Sequence, residues 1–416
     1  MKKTFFNVIS VQACQNILET FPQLDFVEDD FKNILTCYLA EDLYASEDLP
    51  KLARSSMDGY AVKAQDVFGA SESNPAYLEE VANIAIAQVP DFTLQSGECA
   101  SIVTGGYLPL GADAVVMVEH TQNMGAGTIE IRRSLAPNDN IMLQGEDAKK
   151  GECILKQGTL LRPQELGFMA ALGLMKAKVY KKPKVGILST GDELVAAGQP
   201  LKVGQIRDVN SPALVALVNS IGAEAKELGI VPDNLNSLRS AVLDNLNSHD
   251  VLILSGGSSV GTHDYTVELL AGLPNSEILV QGVAMSPGKP LIVAKIVTSK
   301  GVKAIIGLPG QITSAQVVMH ILILPFLRHL SGDLKAFKAE NRLTRKAILA
   351  RNVASRQGRE DYVRVRFEQD SNALLAYPLQ GKSGLVKTLV EAQGLLRIPA
   401  ELEGFEQGSE HDIILL

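Results

Sequence analysis

The stretch Ser255-Gly256-Gly257-Ser258-Ser259-Val260-Gly261-Thr262-His263-Asp264-Tyr265 combines backbone freedom, hydroxyl groups and one carboxylate. It follows Val251–Leu254, a short apolar run that reads as a buried parallel strand. It precedes Thr266–Leu270, which reads as a helix start. A glycine-rich turn between strand and helix aims backbone N–H groups at a helix N-terminus, and such a turn binds anions, phosphates above all. Asp264 sets a negative charge beside that anion, which calls for a divalent cation such as Mg²⁺ between them. The bland alternative is a tight turn without a ligand, because a lone glycine-rich loop is a weak signal.

Other residues could join this chemistry. Ser189-Thr190-Gly191-Asp192-Glu193 puts two carboxylates after a strand. They serve either as a metal or nucleotide contact or as acids offsetting a helix dipole. Ser286-Pro287-Gly288-Lys289-Pro290 fixes a lysine in a proline-bounded turn, where it suits an oxyanion. Ser56-Met57-Asp58-Gly59-Tyr60-Ala61 reads by itself as a hairpin turn centred on Asp-Gly. Gly145-Glu146-Asp147 reads as a solvated turn. His263 has no nucleophile to serve and receives no role.

These motifs must be held by elements. Residues 184–332 alternate strand and helix: strands at Lys184–Leu188, Ala225–Val231, Val251–Leu254, Leu291–Ile296 and Ala304–Gly307, helices at Leu235–Leu246 and from Thr313 to His329, and a helix opened by Ser211-Pro212. That alternation implies a doubly wound parallel sheet. Ligands of such sheets lie beyond the carboxyl ends of the strands, and four motifs follow strands: Ser189-Thr190-Gly191-Asp192-Glu193, Pro232-Asp233-Asn234, the Ser255-Gly256-Gly257 loop and Gly307-Leu308-Pro309-Gly310. Residues 46–150 read as a β-rich module. Val11–Thr20, Asp30–Leu39 and Pro163–Leu172 read as helices, so the module is expected between two parts of a helical domain, 1–45 and 151–180. The α/β domain covers 181–332, and strands after Gly332 imply a small C-terminal barrel over 333–416. The fold class is α/β multidomain.

The chain has 416 residues, 46% of them hydrophobic, and a formal net charge of -8. That charge argues against a nucleic-acid footprint. Cys14, Cys37, Cys99 and Cys153 are widely spaced, with no CxxC pair, and read as reduced thiols of a cytoplasmic protein. Val317–Leu330 is shorter than the roughly 20 residues that span a bilayer, so no membrane association is expected. The basic run Lys176–Lys184 reads as an exposed linker.

Taken in order, the motifs at 56–61, Thr104-Gly105-Gly106, 145–147, 189–194, 255–265, 287–290 and 307–310 resemble the MoeA family of molybdopterin molybdenumtransferases, similar to the E domain of gephyrin. The resemblance runs over essentially the whole chain and implies a MogA-like α/β domain. It implies Mg²⁺-dependent insertion of molybdate into adenylylated molybdopterin with release of AMP. It also implies a homodimer whose cleft is shared between subunits, and an adenylyltransferase partner that supplies the substrate. Carried over by motif, Asp58, Thr104, Asp147, Glu193, Asp233 and Asp264 are the expected catalytic residues. Asp192, Glu193, Asp233 and Asp264 would hold Mg²⁺. Ser255, Gly256, Gly257, Ser258, Gly261, Pro287, Lys289, Pro309 and Ser314 would bind substrate. Two positions depart from the family pattern: Ser286 stands where a lysine is usual, and Gln311-Ile312 replace Asn-Pro. A tungstate-preferring paralogue, a pterin-binding scaffold and a pyrophosphate hydrolase are the competing readings.

Overall fold

In the computed structural model the description covers residues 8–256, 262–370, 373–379, 381 and 384–416, with the backbone alone for 262–264. Gly257, Ser258, Gly261 and the Asp264 side chain therefore lie outside the described residues.

The central domain is built on a six-stranded sheet. Its strands are β1 (Lys184–Thr190), β2 (Glu224–Val231), β3 (Val251–Gly256), β4 (Ser276–Gln281), β5 (Ile292–Thr298) and β6 (Gly301–Leu308). Their order is β2-β1-β3-β6-β5-β4. The first four are parallel, while β5 runs antiparallel to β6 and β4 antiparallel to β5. The sheet is thus mixed rather than wholly parallel. The cause is local: Thr298–Gly301 closes a hairpin, with Thr298 Oγ1 donating to Gly301 O at 3.0 Å, so no crossover helix intervenes.

Six helices matter here. They are α1 (Val11–Leu18), α2 (Pro163–Ala171), α3 (Asn210–Ser220), α4 (Leu235–Leu246), α5 (Thr262–Ala271) and α6, a continuous run over Ile312–Leu330. Ser10 caps α1 through its side chain. Although α1 precedes the β-rich module, Val11, Cys14, Leu18 and Phe21 are buried in the core of the central sheet with Val185, Ile187, Leu214 and Val251. The long helix α6 is longer than the apolar run read from sequence. At 19 residues it is apolar and long enough to cross a membrane, but 78% of its most apolar window is buried inside the protein. It widens to a π turn over Met319–Ile323, just before Pro325, whose missing N–H cannot continue the α-helical ladder.

Residues 30–39 form no helix. Phe26–Asp30 is instead a strand paired with Lys176–Tyr180, and Thr36 takes a left-handed φ of 64°. The pairing joins the segments on either side of the β-rich module, as does Leu43–Tyr44 with Cys153–Leu155. Between them, strands from Gly59 to Ile131 make a second six-stranded sheet. At the C-terminus, β7 (Thr344–Leu349), β8 (Glu360–Gln369), β9 (Leu374–Pro378), β10 (Gly394–Ile398) and β11 (Glu410–Leu415) pair in a closed circuit, β8-β9-β7-β11-β10-β8, the expected barrel. All four cysteines are free, and Cys14 is pushed up to about 12 by burial.

His320 sits in the π turn, and burial pushes its pKa down to about 4, helped by Arg328. The folded protein therefore resists a proton that the unfolded chain accepts near pH 6.5. Stability from this group is complete above that pH and falls as pH drops from about 6.5 to about 4, by on the order of 3 kcal/mol. Urea midpoints at pH 7 and pH 4.5 should differ less for His320→Gln than for the native chain.

Candidate functional site at the carboxyl edge of the sheet

Parallel pairing sets Ser189 beside Ser255, and Ser255 beside Leu308. The loops that follow β1, β3 and β6 therefore leave one edge together. A cleft of about 260 Å³ opens there, lined among others by Thr190, Glu193, Asp208, Asn210, Asp233, Ser255, Gly256, Gly310 and Gln311. Gly256 has a φ of 129°, and a Cβ on it would lie 2.0 Å from Thr190 O. Only glycine permits that approach.

Asp233 is half-buried and accepts a short hydrogen bond from Thr190 Oγ1. Its backbone N–H donates to Asp192 Oδ1 at 3.1 Å. One oxygen of Asp192 is thereby committed to positioning Asp233. Glu193 is exposed on the cleft wall. Among the described residues no three His, Cys, Asp or Glu side chains gather as a preformed metal cage. Mg²⁺ is usually held through one or two carboxylates, with phosphate oxygens and water completing the octahedron. Asp233 and Glu193, which line one cleft, fit that demand.

Cleft residues absent from the sequence reading are Asp208 and Asn210, which act as a group with the adjacent Ser211. The α3 helix starts at Asn210, two residues after Asp208, rather than being capped by Ser211. Asp208 Oδ1 accepts from the backbone N–H of Asn210 at 3.0 Å and of Ser211 at 3.1 Å. Its Oδ2 accepts from Ser211 Oγ at 2.6 Å. Asp208 is 4% exposed, so these bonds compensate a buried charge. An aspartate just before the first helical residue was the available signal.

A second hollow, of about 470 Å³, lies between the proline-bounded turn and the barrel. Met285–Ser286 pairs in parallel with Glu360–Asp361 of β8. Gly288, at φ 120°, presses against α6: a Cβ there would meet Val318 Cγ2 at 2.5 Å. Ser286, Pro287, Asp361 and Arg364 line the hollow. Arg364 is 8% exposed; its Nη2 donates to Gly381 O at 3.2 Å, while Nη1 has no partner among the described residues. Asp361 is already engaged by Arg359 at 2.8 Å and by Ser355 at 2.9 Å. Burial lowers the Arg364 pKa from its ordinary value. A buried guanidinium without a counter-ion is costly unless an anion joins it. Arg364 stands in a strand of alternating side chains, and nothing in that local pattern marks it. Lys289 is exposed, Pro309 and Ser314 are buried at the start of α6.

Asp58 and Thr104, far apart in sequence, are brought together. Thr104 N and Oγ1 both donate to Asp58 Oδ1, at 2.6 and 2.9 Å, and these bonds lower the Asp58 pKa. Gly59 does not sit at the centre of a turn. It opens a strand, where a Cβ would lie 1.8 Å from Val116 O. Asp147 is exposed on another turn. The linings of the cleft and the hollow include none of Asp58, Thr104 and Asp147.

Three family descriptions match the chain in order. They are "MoeA N-terminal region (domain I and II)" over residues 9–173, "Probable molybdopterin binding domain" over 186–329 and "MoeA C-terminal region (domain IV)" over 346–416. The chain is 31% identical over 405 residues to a molybdopterin molybdenumtransferase of Staphylococcus aureus, covering 97% of this chain and 94% of that protein. It is 37% identical over 334 residues to that of a Nostoc species, covering 79% of this chain and 76% of the relative. Two crystal structures of molybdopterin biosynthesis MoeA proteins from Pyrococcus horikoshii are similar, at 33% and 27% identity with TM-scores of 0.76 and 0.81. They cover 98% and 99% of this chain and 99% and 100% of theirs. From its first strands to its barrel, the chain belongs to the MoeA family of molybdopterin molybdenumtransferases.

Proposed function

We propose that this enzyme of molybdenum cofactor biosynthesis inserts molybdate into adenylylated molybdopterin and releases AMP, with Mg²⁺, in a cleft that two copies of the chain complete. The observation that carries the reading is Arg364: a buried cation whose Nη1 has no partner among the described residues, in a hollow whose rim is the turn that bears Lys289. That hollow suits a small oxyanion such as molybdate. The carboxyl-edge cleft suits the phosphate-bearing pterin. Helix α6 links the two, since Gln311 lines the cleft and Val318 supports Gly288.

The residues have separable tasks in this reading. Ser255 and Gly256 begin the loop that takes the pterin phosphate, with Gly257, Ser258 and Gly261 further along it. Asp233 and Glu193, joined by Asp264, hold Mg²⁺, while Asp192 orients Asp233. Bound Mg²⁺ would neutralise pyrophosphate charge during AMP release. Arg364, Lys289 and Ser314 hold the oxyanion. Asp58, kept ionised by Thr104, and Asp147 come from the second copy. Exposed apolar side chains on the segments flanking the β-rich module, among them Phe26, Leu35, Tyr44 and Met175, support such pairing. The retained carboxylates favour chemistry over a scaffold, because clustered acids repel one another.

AMP release from adenylylated molybdopterin with Mg²⁺ should rise on adding molybdate; release indifferent to both molybdate and tungstate would point to a hydrolase. Asp58→Ala and Asp264→Ala should each be inactive alone. Mixed after unfolding and refolding, they should regain about a quarter of native activity, because half of the dimers then carry one intact site. No regain would place both residues in one subunit's site. Arg364→Met should raise the molybdate concentration for half-maximal turnover at least tenfold while changing the urea midpoint little, since an apolar side chain of similar length offsets the lost Nη2 bond to Gly381 O. Unchanged molybdate dependence would exclude Arg364 from the site.

A further inference from the structure

We infer that Asn210 is a positioning residue: one side-chain amide locks the root of the glycine loop to the loop after β6, and turnover depends on that lock. The inference rests on the reaction proposed above. Asn210 is the first residue of α3 and 7% exposed. Its Nδ2 donates to Ser255 Oγ at 2.8 Å and to Gly310 O at 2.8 Å. Ser255 is the penultimate residue of β3, immediately before Gly256, and Gly310 precedes Gln311 in the lining of the same cleft. An amide nitrogen carries two N–H bonds in a fixed plane, so it can tie two acceptors at a set angle. A hydroxyl or carboxylate cannot.

The lock is itself anchored. Asp208 holds the Asn210 backbone, and Ser211 Oγ contacts Ser189 Oγ at 2.8 Å, reaching β1. Three strand ends are therefore connected through two adjacent residues. Asn210 Oδ1, by contrast, is buried without a partner among the described residues. An unmade buried acceptor carries a desolvation penalty. That cost is poorly explained by stability alone and is consistent with a residue held for where its donors point. The substrate touches loops on both sides of the lock, so their separation sets the alignment of reacting groups. Misplacement by about 1 Å can slow a reaction about a hundredfold.

Asn210→Asp and Asn210→Ala are the test, with AMP release and amide hydrogen exchange as readouts. The carboxylate of Asn210→Asp cannot donate to Gly310 O and repels it. Both variants should lower kcat at least tenfold, leave KM for adenylylated molybdopterin within about threefold, and speed exchange at 255–256 and 310–312. Adding Ser255→Ala to Asn210→Ala should lower kcat less than the two single effects multiplied, because the residues act as one unit. Native kcat in a folded variant would overturn the inference, as would a loss of kcat that merely follows the loss of folded protein. If the native chain itself releases no AMP, the functional reading falls, while unchanged exchange in the variants would separately refute the lock.

Discussion

The in-register parallel pairing of β1, β3 and β6 is the constraint on which the rest depends. Ser189, Ser255 and Leu308 lie side by side, so three loops start from one level. Loops that begin together can share a ligand; loops staggered by several residues cannot. Close packing between their first residues follows, and it explains why Gly256 must be glycine beside Thr190 O. It also brings polar groups together where no water is guaranteed. The Asp208, Asn210, Ser211 and Ser189 network answers that by satisfying nearly every buried donor and acceptor.

Legibility in the sequence followed the range of the interactions. The helix over Leu235–Leu246 was readable because its periodicity and its Asn234 cap are local. The carboxyl-edge location of Thr190, Asp233, Ser255 and Gly310 was readable because their motifs directly follow apolar strands. The 30–39 segment misled because its ends are fixed by distant partners, Asp30 by Lys176 and Leu39 by Val179, which local periodicity does not show. The antiparallel β5–β6 hairpin was hidden for a related reason: both strands are apolar on both faces, and direction leaves no mark in such runs. Arg364 and Asn210 could not be found by motif. Their significance comes from burial and from partners at positions 381, 255 and 310, which only folding assembles.

The two hollows achieve charge balance in opposite ways. At the sheet edge, buried acid is compensated internally: Asp208 has backbone and hydroxyl donors and needs no ligand. Beside the barrel, the acid Asp361 is taken by Arg359, and Arg364 Nη1 has no partner among the described residues. A protein optimised for stability alone would fill that position with an apolar side chain. In the proposed reading the second hollow is completed from outside by an oxyanion, whereas the first edge is a finished scaffold that presents its loops.

The turn that carries Lys289 is, through Met285–Ser286, an extra strand on β8 of the barrel. Its backbone also bonds to the N-terminal segment, with Ala284 N donating to Ile9 O at 2.7 Å and Glu360 N donating to Ala284 O at 2.9 Å. The turn is thus held on two sides, by β8 of the barrel and by the Val318 face of α6 against Gly288. Any shift of the barrel relative to the central sheet would first have to unpair Met285–Ser286 from Glu360–Asp361, so the lysine-bearing turn acts as a fixed hinge pin between the two domains.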